Sequence, residues 1–117
     1  MQSIKQPIRS CVQTRKALRS QCARLRTVIK KLHTDPENAI ASTAETLRKS
    51  HKEALILHIS ISDQIIRNVV VLVETNLPGT LKLWEAWHRL WMACNEVGDL
   101  LEAVAKPEGT AASAATR

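Results

Sequence analysis

No glycine occurs before Gly79, and the apolar residues of the first third of the chain recur at alternating intervals of four and three. A backbone without glycine has few points at which to reverse tightly, and that alternation is the period of a helix face rather than of a strand. Ile4, Ile8, Cys11, Leu18, Cys22, Leu25, Ile29 and Leu32 form the seam, with Arg15 in its one gap. The spacing predicts a helix over about 4–33, with Pro7 tolerated in its first turn.

A break follows at Thr34-Asp35-Pro36-Glu37-Asn38. Either Thr34 with Glu37, or Asp35 with Pro36, can open a second helix there. That helix is predicted over about 36–76, on a stripe of Ile40, Ala44, Leu47, His51, Ala54, His58, Ile61, Ile65, Val69 and Leu72. Residues 65–73 are rich in β-branched side chains, but a strand there would have no partner, so they are read as helix. Leu77-Pro78-Gly79-Thr80 is read as the loop that ends it, with Thr80 capping a third helix over about 81–105. Trp84, Trp87, Trp91, Cys94 and Leu101 make one stripe of that helix, and Leu83, Leu90, Val97 and Val104 an adjacent one at seven-residue intervals. The small-residue tail 106–117 is expected to be disordered.

The expected fold is all-α. One helical domain over 1–105 is a long antiparallel helix hairpin plus a third helix. Phe and Tyr are absent, so Leu, Ile, Val and Ala must build the core. Such a core is modest, and self-association into a dimeric, four-helix-bundle-like assembly would enlarge it.

Three cysteines without C-x-x-C spacing do not look like a disulfide framework and suit a reducing compartment. The N-terminus has no apolar run of the signal-peptide kind. Residues 54–73 are interrupted by His58, Ser60, Ser62, Asp63, Gln64, Arg67 and Asn68, which reads as too polar for a membrane span. A soluble, cytoplasmic protein is expected.

His51 and His58 share a face, while His33 and His88 lie elsewhere, so no metal site and no cofactor are expected. Ser60, Ser62, Asp63 and His58 cannot form a triad from one helix, so catalysis and a small-molecule substrate are not expected either. The tryptophan stripe reads as core or dimer contact, or else as a stacking platform for single-stranded bases. Only Lys82 and Arg89 lie near it in sequence.

Charge carries the strongest functional signal. Residues 1–34 contain nine Lys or Arg and no Asp or Glu, while the remainder holds eight basic and eleven acidic residues. A solvated helix face ordinarily mixes signs at i, i+4, and neighbouring like charges repel. Folding alone therefore does not favour this arrangement, and a polyanionic partner does. Lys5, Arg9, Lys16, Arg19, Arg26 and Lys30 repeat with helical rhythm away from the seam. The seam lacks the bulky anchors of a membrane-surface helix. No helix-turn-helix, zinc-finger or basic-zipper pattern points to base reading in DNA. A straight cationic rod suits A-form RNA, which presents phosphates and 2′-hydroxyls across a shallow groove.

Asp35-Pro36-Glu37-Asn38, and Arg67-Asn68-Val69-Val70-Val71-Leu72-Val73-Glu74 followed by Pro78, resemble segments of the small RNA-silencing suppressors of nodaviruses. The resemblance covers roughly residues 30–80 and implies an antiparallel four-helix bundle dimer. It implies that double-stranded RNA is bound without sequence preference and shielded from Dicer and from small-RNA loading. It also implies a viral protein acting in the host cytoplasm, with host silencing proteins as further partners. By the resemblance Arg67 matches an RNA-contacting arginine, with Lys49 and Lys52 earlier on the same helix. The second helix here is longer, and Leu77 stands where the family has a lysine. The alternative is a non-enzymatic helical bundle whose basic face meets an acidic protein or an anionic membrane.

Overall fold

The computed structural model describes residues 4–30 and 37–105. The described residues form three helices: α1 (Lys5–Lys30), α2 (Glu37–Thr75) and α3 (Leu77–Ala105). Residues 31–36 and the tail 106–117 lie outside the described residues, as do the expectations that fall on them. Residues 65–73 are helical throughout.

Side-chain neighbours fix the topology. Gln21 and Arg24 of α1 lie beside Ser42, Thr43 and Thr46 of α2, so these two helices run antiparallel. His51 meets Cys94 and His58 meets Trp87, so α2 and α3 are also antiparallel. Ile8 lies beside Lys82, and Arg26 beside Val97, so α1 and α3 are parallel. Each helix packs on both others. At 1.5 Å per residue the 39 residues of α2 span about 58 Å, which sets the long dimension of the 55 × 32 × 18 Å body.

The core runs between the three apolar stripes. Cys11, Leu18, Cys22 and Leu25 come from α1, and Ala44, Leu47, Ala54, Ile61 and Ile65 from α2. Leu83, Ala86, Leu90, Ala93, Cys94, Val97 and Leu101 come from α3. On α2 two expected stripe members leave the core: Val69 is exposed and Leu72 half-buried, because the seam runs out as α2 passes the end of α1.

The α2–α3 junction corrects the expected loop at 77–80. The third helix starts at Leu77, four residues early, and Asn76 alone separates it from α2. The Asn76 N–H donates to Leu72 O at 2.9 Å, ending α2. Its side-chain Oδ1 accepts the Gly79 N–H at 3.0 Å, which is N-cap geometry for α3. Its carbonyl accepts the Thr80 N–H at 2.9 Å and the Thr80 hydroxyl at 2.8 Å. Pro78 therefore opens a helix, in the first turn where a missing N–H costs nothing. Gly79 has no positive φ. Its service is room, since an added Cβ would collide with the Asn76 amide.

Candidate nucleic-acid interface

Lys5, Arg9, Lys16, Arg19, Arg26 and Lys30 are all exposed on α1. At 100° per residue they fall within a sector of about 100°, and from first to last they span about 38 Å. Among the described residues, Arg9, Lys16, Arg19, Arg26 and Lys30 form no ion pair; the short pairs belong to Arg48, Arg67 and Arg89. Arg24 sits on the opposite flank, toward α2.

The row borders a continuous furrow between α1 and α3. At one end Ile8, Val12 and Arg15 face Lys82, Glu85, Ala86 and Arg89. In the middle Arg15 and Arg19 face Arg89, Met92 and Glu96. At the other end Cys22, Ala23 and Arg26 face Ala93, Glu96 and Val97 around a hollow of about 200 Å³. Burial pushes the Cys22 thiol up, Arg26 opposes that rise, and Glu96 adds to it. The furrow thus carries cations from two helices. Arg89 is tied to Glu85, but both are more than half exposed and the pair contributes little.

Lys82, Arg89 and Arg15 were not among the expected contacts. In the sequence Arg15 marks only the gap in the seam. Lys82 and Arg89 are seven residues apart and lie roughly 160° around α3 from the tryptophans, so they flank α1 and not the aromatic stripe.

Lys49, Lys52 and Arg67 are exposed on the side of α2 turned away from this furrow. The fold does not bring them onto one face with the α1 row. Arg67 donates to Asp63 at 2.9 Å, and that bond raises its pKa.

The tryptophans divide between the two sequence readings. His58 is buried and stacks on Trp87 at 4.7 Å and on Trp91 at 4.8 Å, while Trp84 meets Trp87 edge-on. Trp87 Nε1 donates to Ser62 Oγ at 2.7 Å, and that hydroxyl donates to His58 O. Trp87 is therefore a packing residue, whereas Trp84 and Trp91 are 51% and 41% exposed. His51 Nε2 lies 2.9 Å from Cys94 O, a contact between helices.

By length and composition α2 contains a stretch, Ala39–Thr75, apolar enough to cross a membrane, and most of its apolar window lies outside the core. The interruptions expected to make it too polar for a span, His58, Ser60, Ser62, Asp63, Gln64, Arg67 and Asn68, all lie within that stretch. Compared with known protein families, with curated proteins and with solved structures, the chain matches none.

Proposed function

We propose that the protein binds double-stranded RNA along the α1 row and its furrow with α3, without reading bases, and acts by binding rather than by catalysis. One observation carries the reading: six of the eight cations of α1 share one sector of the helix, with Arg24 on the opposite flank and no acid on that helix. Such a row repels itself unless a polyanion neutralises it. A surface holding the row straight over about 38 Å meets a duplex by its backbone, and the exposed side chains reach phosphates and 2′-hydroxyls. Shielding of duplex RNA, and with it suppression of RNA silencing in the cytoplasm of a virus-infected host cell, follows from the resemblance noted in the sequence.

A gel shift with duplex RNA, duplex DNA and single-stranded RNA of equal length tests the proposal. Preference for duplex RNA, lost steeply as salt rises, is the expected result. Equal affinity for all three and for heparin would leave a non-specific basic surface and contradict it.

A further inference from the structure

We propose that the flank of the α2–α3 pair turned away from α1 lies on a lipid bilayer, with its side chains among the acyl chains. Ile59, Ile66, Val70 and Val73 fall within about 60° of one another around α2 and form a second, outer row on that helix. Ile59, Ile66 and Val70 are 66%, 73% and 64% exposed. Leu77, Leu81, Trp84 and Trp91 fall within about 80° around α3, and all four are exposed. The two rows adjoin. Trp91 stacks on His58, next to Ile59, and Trp84 meets Trp87, which is bonded to Ser62. The first helix sits on the other side, against Ala86 and Ala93 of α3 and Ser42 and Thr46 of α2.

Breadth favours lipid over a protein partner. Val69 and Val71 are exposed too, so between residues 66 and 73 α2 shows apolar side chains around more than half of its circumference. A partner helix covers one stripe, whereas a helix apolar on most sides belongs in an apolar phase. Polar groups are also scarce. Within the two sectors, from Ile59 to Val73 and from Leu77 to Trp91, only His88 is polar. A protein interface carries a hydrogen bond for every 100–200 Å² or about that. Hydropathy agrees: Ala39–Thr75 reaches a mean hydropathy of 1.5, and 17% of that apolar window is buried.

The helix lies on the bilayer and does not cross it, because its opposite face is committed to the core through Leu47, Ala54 and Ile61. Asp63 and Arg67, paired at 2.9 Å, stand at the edge of the outer row, where they stay among headgroups and water. Half-exposed Trp84 and Trp91 suit the interfacial layer in which indoles collect, and an interfacial helix sinks its apolar face by about 5–10 Å. Apolar burial drives this contact, so it needs no anionic lipid and outlasts added salt. The α1 row stays on the solvent side, and the inference does not rest on what α1 binds.

Flotation of the full chain with phosphatidylcholine vesicles tests the proposal. The protein should float with them at low and at high salt, and its tryptophan emission should shift to the blue. Trp84→Phe with Trp91→Phe leaves only Trp87 and should abolish that shift. Val70→Asp with Leu81→Asp alters only exposed side chains, so the helical circular dichroism should stay while partitioning weakens at least about tenfold. Absence of flotation would overturn the proposal. Flotation only with phosphatidylserine present, and lost in salt, would assign the contact to the α1 cations and overturn it too. So would undiminished flotation of the double aspartate variant. Emission already blue without vesicles, and reddening on dilution, would show a second copy covering this flank and contradict it.

Discussion

His58 is the residue whose surroundings make the clearest demand on solution conditions. It is buried between two indole rings, and its Nε2 has no hydrogen-bond partner among the described residues. Burial lowers its pKa below the ordinary 6.5, so the fold favours neutral imidazole. Stability should be full above that ordinary value, fall as the unfolded chain takes up the proton at lower pH, and level off once the folded histidine protonates. Chemical denaturation between about pH 7 and pH 5 should show this slope, and His58→Phe, which keeps an aromatic ring in the stack, should remove its share. Equal slopes in both proteins would mean that His58 titrates alike folded and unfolded. A second contrast at this scale separates the two groups of cations. Arg19→Glu should weaken duplex RNA binding at least tenfold, a loss of about 1.4 kcal/mol or more, because it reverses charge in the furrow. Arg67→Glu should change binding far less, since Arg67 lies on another face and is paired with Asp63. Comparable losses in the two variants, read by titration, would move the interface to α2.

Among the elements, α2 and α3 are joined through Asn76 alone. Asn76→Ala should lower stability by about 1 kcal/mol through loss of the cap to α3, measurable as a shift in denaturation midpoint. This boundary was hard to read in the sequence because proline and glycine together signal a loop, and only the asparagine before them reveals a helix start. The α1 seam was legible because its spacing breaks only at Arg15 and most of its other residues are polar. The inner stripe of α2 was legible for the same reason from Ala44 to Ile65. The outer row was not, because residues 54–73 are apolar around much of the circumference and periodicity then names no unique face. The tryptophans show a related limit. Their spacing puts them on one side of α3 but does not tell which ring a neighbour covers, and only Trp87 finds a bonded place against α2.

The whole molecule is a three-helix prism whose surface chemistry is divided. Cations line the α1–α3 side, and exposed Ile, Val and Trp gather on α2 and the adjoining flank of α3. The α1 part of the cationic side was legible from charge alone. The α3 part was not, because Lys82 and Arg89 join it only through the parallel packing of α1 on α3. RNA binding is proposed for that side, and the salt dependence of duplex RNA affinity is its decisive check. Six engaged α1 cations should give a slope of log affinity against log salt of roughly −5, by the relation established for duplex DNA. Arg19→Gln with Arg26→Gln should reduce its magnitude by about one for each lost contact. An affinity indifferent to salt, or a slope that the double variant leaves unchanged, would contradict RNA binding through the α1 row.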